Sequence, residues 1–215
     1  MNKIAVLVSG QMRTLDKTYD RIMNIFQGAD FYIHSVLDED SKKAKLLKPK
    51  IFYCEPQYEM PERIEYSTQI GRGCSGVQRV LKQLWGLEKV WEIYENSGDQ
   101  HDIIVRLRPD TFFVNKKLEN LKNLSEEDKE YLYVPIFCSY GGVNDRFAFG
   151  NRKLMSIYFN RFKFLDFYID KKGMFHPETF LLWTILNFNI KMKYTKTVFT
   201  TLRKDGTHVE PLFNQ

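Results

Sequence analysis

The sequence predicts an α/β domain with a mostly parallel central sheet, on three observations. Ile4–Val8 is an unbroken aliphatic run closed by Ser9-Gly10, the pattern of a strand buried on both faces. An apolar stripe at helical spacing follows (Tyr19, Ile22, Met23, Phe26), and then a second apolar run, Asp30 to Ser35, so that residues 1–35 read as a βαβ unit with a right-handed crossover. Strand-like and helix-like segments then alternate along the chain without internal repeat or low-complexity stretch.

The first helix has Thr14 or Asp16 as its capping residue. Lys50–Cys54 reads as a short third strand. Residues 55–73 hold Pro56, Pro61, Gly71 and Gly73 and read as a long, mobile connection. The strongest helix runs from Ser75 to Tyr94, with Val77, Val80, Leu81, Leu84, Leu87, Val90, Trp91 and Tyr94 on its apolar side and Asn96-Ser97-Gly98 as its stop. Asp102–Leu107 is a strand that leads into Arg108-Pro109-Asp110, and Thr111–Val114 continues extended. Residues 115–130 are polar, with Ser125 and the following acids marking a short capped helix. Tyr131–Val134 is a further strand. Gly141–Asp145 is a loop before Arg146–Gly150, and Asn151 or Asn160 bounds the next helix. His176-Pro177-Glu178 opens a last helix through Leu186, and residues 190–203 carry extended segments.

Composition narrows the function. The chain has 215 residues, enough for one sizeable core, and one domain over 1–215 is expected. A net charge of +5, from 32 basic and 27 acidic side chains, favours anionic ligands without demanding nucleic acid. No basic patch interleaved with aromatics points to a nucleic-acid partner. The cysteines, Cys54, Cys74 and Cys138, are widely spaced and form no metal-binding pair, which fits a reduced cytosolic chain with buried thiols. Neither a signal-peptide pattern nor an apolar run long enough for a transmembrane segment is present; Phe180–Phe188 is short and broken by Thr184 and Asn187. Phosphate-binding glycine motifs of the dinucleotide and P-loop kinds are missing as well.

Ligands of open α/β sheets bind beyond the carboxyl ends of the strands, and several polar clusters fall there. In Ser9-Gly10-Gln11-Met12-Arg13, Gly10 admits close backbone approach and Arg13 can fork onto a phosphate; the alternative is a strand–helix turn with a surface arginine. In Arg106-Leu107-Arg108-Pro109-Asp110, strand alternation sets residues 106, 108 and 110 on one face, as a diphosphate and sugar site or as a structural Arg–Asp pair. Asn144 and Asp145 sit in a glycine-rich loop, as sugar-hydroxyl ligands or as an Asx-turn. Glu178, after His176-Pro177, is a general base or a partner of the helix dipole, and His34 is a candidate base or ribose contact.

In order along the chain, Ile4-to-Arg13 ending Ser-Gly-Gln-Met-Arg, Asp30–His34, Asp102–Asp110, Asn144–Gly150 and His176-Pro177-Glu178 resemble a group of bacterial and viral glycosyltransferases, similar to GT-A-type enzymes and to lipopolysaccharide-synthesis proteins of the WavE kind. The resemblance covers most of residues 1–190. It implies a Rossmann-like GT-A-type nucleotide-sugar domain in the cytoplasm (the host's, for a viral chain), with residues 190–215 packed on the core. Such a domain transfers a sugar from a nucleoside-diphosphate sugar to a glycan or other hydroxyl acceptor in polysaccharide biosynthesis. GT-A enzymes carry an Asp-x-Asp motif for a divalent metal, Mn2+ or Mg2+; here that position reads Arg108-Pro109-Asp110, leaving Asp110 as the metal ligand. The resemblance matches Asn144 and Asp145 to the acceptor-side loop and Glu178 to the acidic base; on this reading Gly10, Gln11, Arg13, His34, Arg106, Arg108 and Asp110 are donor contacts, His176 is a further acceptor contact, and Glu178 or Asp145 takes the proton. A relative that binds sugar nucleotide or glycan without turnover is the alternative.

Overall fold

The computed structural model describes residues 1–57, 59–72, 76–114 and 120–209. The expectations placed on Gly73, on Cys74, on a helix start at Ser75, on 115–119 and on 210–215 lie outside the described residues. The strands are β1 (Ile4–Ser9), β2 (Asp30–Val36), β3 (Ile51–Glu55), β4 (Ile103–Leu107), β5 (Thr111–Phe113), β6 (Leu132–Pro135), β7 (Ala148–Gly150), β8 (Met192–Thr195), β9 (Phe199–Leu202) and β10 (His208–Val209). The helices are α1 (Leu15–Ile25), α2 (Ile64–Thr68), α3 (Val77–Asn96), α4 (Glu126–Lys129), α5 (Arg152–Asn160), α6 (Leu165–Asp170) and α7 (Pro177–Asn187).

Seven strands form the main sheet in the order β3-β2-β1-β4-β7-β6-β8. The pairs β1–β2, β1–β4, β2–β3 and β6–β8 are parallel, while β7 runs antiparallel to both β4 and β6. A parallel β6–β7 pair would need a crossover helix; none lies in residues 136–147, so β7 returns antiparallel.

Alternate residues of β1 divide between two cores. Val6 and Val8, with Val105 and Leu107 of β4, pack on Leu15, Ile22 and Phe26 of α1 and its end. Ala5 and Leu7, with Ile104, pack on Leu87, Val90, Trp91 and Tyr94 of α3 and on Met155 and Tyr158 of α5. This two-sided burial is why β1 lacks polar alternation. Each aliphatic side chain sealed there contributes about 1.5–3 kcal/mol. A third cluster joins Met60 and Tyr66 to Leu81 and Trp85 of α3 and to Phe175 and Phe180.

Local signals account for the helix ends. The Asn151 side chain accepts from Leu154 N at 3.0 Å and starts α5, which closes on Asn160. Ser125 Oγ accepts from Asp128 N and starts α4. Thr14 precedes α1, though its side chain makes no capping bond.

The structure corrects several expectations. β4 stops at Leu107, where the sequence ended it, but Pro109 then turns the chain, with Thr111 N bonding back to Arg108 O at 3.2 Å. The alternation expected through 106, 108 and 110 is therefore broken. β5 does not extend the main sheet but pairs with β9 in a separate sheet ordered β10-β9-β5. Within the stretch read as a mobile connection, α2 buries Tyr66, which stacks on Phe175 at 5.0 Å. Cys54 and Cys138 are half-buried rather than core thiols.

Candidate functional site

The site begins at the carboxyl end of β4, the strand at the centre of the main sheet. Arg106 pairs in register with Leu7 and Ala148, on the face that α3 and α5 cover. It is 1% exposed, and its Nε and Nη1 have no hydrogen-bond partner among the described residues. Burial pushes the guanidinium pKa down, against the opposing influence of Tyr158 and Asp145. Two residues on, the Arg108 side chain is 30% exposed and clasps Asp110 from both sides, Nε to Oδ1 at 2.8 Å and Nη2 to Oδ2 at 2.7 Å. The Asp110 carboxylate holds Arg108 above its ordinary pKa, with Asp145 and Glu178 adding to the effect. Burial alone would raise the Asp110 pKa, but Arg108 overcomes it and the net shift is downward.

The loop after β1 closes against this turn. Gly10 has φ +134, and a Cβ there would stand 3.4 Å from Pro109 Cδ, so a side chain would be strained. Thr18 Oγ1 of α1 donates to Pro109 O at 2.7 Å. Gln11 is half-buried, while Arg13 is exposed and its carbonyl accepts from Lys43 Nζ at 3.0 Å.

Asp145 is 2% exposed, so it does not stand open on a flexible loop as its glycine neighbours suggested. Its Oδ2 accepts from Arg161 Nη2 at 3.1 Å and from Gln83 Nε2, and its carbonyl accepts from Tyr158 Oη at 2.7 Å. Asn144 is fully buried. Its amide donates to Phe137 O at 2.7 Å and its Oδ1 accepts from Arg146 N at 2.8 Å, the Asx-turn that fixes the loop.

His176 stands at the N-cap position of α7 without a side-chain capping bond, Pro177 takes its first position, and Glu178 lies in its first turn. His176 Nδ1 sits 2.8 Å from Glu178 Oε2, with both side chains buried. The Glu178 carboxylate holds the imidazole above its usual pKa, against the effect of burial. The loop before β7 presses on this helix start: Val143 N donates to Glu178 O at 3.0 Å, and a Cβ on Gly142 would lie 2.1 Å from that oxygen.

Three of the sequence clusters thus converge, on Arg108-Asp110, Asp145 and Glu178. His34 stays apart, since β1 separates β2 from β4. Its Nε2 lies 2.9 Å from Glu55 Oε1, and Trp85 meets its ring edge-on at 5.1 Å. Burial pushes its pKa down despite Glu55. Arg161, Gln83 and Tyr158 carry no motif and were not anticipated; all three reach Asp145 from helices or helix ends far along the chain.

The carboxylates do not fit a divalent cation in this arrangement. Both oxygens of Asp110 are taken by Arg108, a cation, and Asp145 and Glu178 face Arg161 and His176. Among the described residues no three His, Cys, Asp or Glu side chains gather as metal ligands. Also among the described residues, no helix is long and apolar enough to cross a membrane.

The apo-form glycosyltransferase GlyE of Streptococcus pneumoniae TIGR4 is similar in fold, with a TM-score of 0.52 and 14% identity over 90% of this chain and 45% of that one. A second GlyE structure gives 0.50 and 12% over 91% and 45%. A glycosyltransferase involved in the glycosylation of the major capsid of PBCV-1 gives 0.49 and 9% over 89% and 80%. The chain spans under half of the GlyE length, and the likeness is one of fold: a glycosyltransferase-like α/β architecture, as the sequence led one to expect, without singling out the WavE kind. No curated protein matches the sequence. Residues 1–199 match the family described as Domain of unknown function (DUF7796), and the chain belongs to that family.

Proposed function

We propose that the chain is a glycosyltransferase of GT-A type that moves a sugar from a nucleoside-diphosphate sugar to a hydroxyl of a glycan acceptor. The observation that carries this reading is the pair of guanidiniums at the end of β4. Arg106 is a buried cation whose Nε and Nη1 are unpaired among the described residues, and Arg108 lies at the surface of the same turn. An unpaired buried charge is costly unless a ligand of opposite sign offsets it.

Two of the five Arg108 N–H donors go to Asp110, leaving the others for phosphate oxygens. Arg106 supplies positive potential from beneath, where low dielectric strengthens it. Gly10 and Gln11 bring backbone close to the nucleotide. In the transfer step a bond forms between the acceptor oxygen and the anomeric carbon, and the bond from that carbon to the diphosphate breaks. The acceptor proton passes to the Glu178 carboxylate, which His176 orients, and the diphosphate leaves as an anion held by Arg108. Asp145, fixed by Arg161 and Gln83, braces the site rather than taking the proton. Charge neutralisation is assigned to the arginines, with no step through Mn2+ or Mg2+.

The test is donor hydrolysis and transfer across a panel of nucleoside-diphosphate sugars, with Arg108→Ala and Glu178→Gln. Each variant is expected to lose about a hundredfold in turnover or more, with Glu178→Gln still binding donor. Unchanged turnover in both variants would remove the site assignment. Donor binding by the wild type without turnover on any acceptor would favour the non-catalytic relative.

A further inference from the structure

We propose that the cleft beside His176 is an acceptor subsite for a saccharide bearing an anionic group, a carboxylate or a phosphate; this rests on the glycosyltransferase reading above. The cleft encloses about 550 Å³ and is walled by Gly71 and Arg72 beyond α2, by Tyr140, and by Lys172 and Met174 beyond α6. It adjoins His176, the partner of the proposed proton acceptor. A Cβ on Gly71 would lie 3.2 Å from His176 Cδ2, and the Tyr140 ring centre is 6.0 Å from that of His176.

The walls have a definite chemistry. No lining residue is acidic, and Arg72 and Lys172 are both exposed cations. Elsewhere on the surface, lysines such as Lys43, Lys50, Lys82 and Lys89 are matched by carboxylates at 2.7–2.9 Å, whereas neither Arg72 nor Lys172 forms an ion pair among the described residues. Two cations sharing one cleft repel each other, and an anion between them reverses that cost.

Tyr140 adds a flat surface. Its ring is 50% exposed, and the Arg146 guanidinium lies 5.8 Å from its centroid. Pyranose faces pack on such rings. Tyr140 and Lys172 both hold left-handed backbone, at φ 43 and φ 59. Cations, one aromatic face and apolar Met174 suit a charged sugar ring better than a neutral one.

The experiment is a calorimetric titration of the full chain, at low and physiological salt, with three probes. One is a disaccharide ending in glucuronate, one a sugar phosphate, and one a neutral disaccharide of the same size as the first. At least one anionic saccharide is expected to bind about tenfold tighter than the neutral one, and more weakly as salt rises. Whether the carboxylated or the phosphorylated probe binds tells which group is read. Arg72→Ala with Lys172→Ala is expected to remove about tenfold of that affinity, and Tyr140→Ala to weaken it further. Equal binding of neutral and anionic probes, or wild-type affinity in the double variant, would overturn the proposal. Binding of nucleoside diphosphates to the wild-type protein is measured alongside. Its absence counts against the glycosyltransferase reading and leaves the result for the cleft standing.

Discussion

At the scale of single residues, Arg106 sets function against stability. Burial disfavours its charge, and its Nε and Nη1 have no hydrogen-bond partner among the described residues, so Arg106→Met is expected to leave the unfolding free energy unchanged or raise it by up to about 2 kcal/mol. Donor affinity is expected to fall by about tenfold or more. Urea unfolding beside a donor titration checks both; a loss of stability with donor binding intact would make Arg106 a structural pin. The two buried histidines, His34 and His176, make opposite contributions with pH. Burial lowers the His34 pKa from its ordinary 6.5, so the unfolded chain takes the proton more readily, and its contribution is complete above that value and is lost as pH falls. Glu178 raises the His176 pKa above 6.5, so that contribution is complete below 6.5 and is lost as pH rises through the raised value. His34→Asn should therefore leave a stability that declines on going alkaline, and His176→Asn one that climbs with pH up to about 6.5. Denaturation midpoints between pH 5 and 8 read the two slopes, and parallel profiles would contradict the assignment. Arg106, Arg108 and Asp110 were legible in the sequence because charge directly after an apolar run is costly to place. Arg161 and Gln83 were not, because an arginine or glutamine on an amphipathic helix looks like surface until the fold turns it onto Asp145.

At the scale of elements, the strands and helices that frame the site were read from periodicity and caps. β1, β2 and α3 fall where the apolar runs placed them, and Asn151, Ser125 and Pro177 mark the helix starts. What periodicity misses is a turn that redirects a strand: Pro109 ends β4 and sends Thr111–Phe113 into a second sheet, a choice made by pairing with β9 nearly ninety residues later. The loop before β7 and the start of α7 act as one unit, because Gly142 leaves no room for a side chain against the Glu178 carbonyl. Gly142→Ala is expected to cost about 1–3 kcal/mol and to shift Glu178, so that turnover falls with stability. Asn151→Ala removes only a helix cap and should cost about 1 kcal/mol without affecting turnover. Thermal denaturation and the transfer assay on the two variants separate these effects; equal turnover in both would detach the loop from the chemistry.

At the scale of the whole molecule, the topology gathers the chemistry. The parallel strands β3-β2-β1-β4 end on one edge, and the antiparallel β7 brings the 141–146 loop and α7 to the same place. Alternating βαβ pattern sufficed to anticipate the parallel half of the sheet, while the insertion of β7 between β4 and β6 depends on long-range pairing that no local pattern encodes. At this edge Arg106, Arg108 and Arg161 stand against Asp110, Asp145 and Glu178. The central claim is that this edge holds the diphosphate of a sugar nucleotide through arginine. Its most direct measurement is calorimetry of the wild-type chain and of Arg108→Ala with a panel of nucleoside diphosphates, in buffer containing EDTA. Expected is selective binding of one nucleotide without added metal and a loss of about tenfold or more in Arg108→Ala. Binding that appears only when manganese or magnesium is supplied, or that is the same in Arg108→Ala as in the wild type, would contradict it.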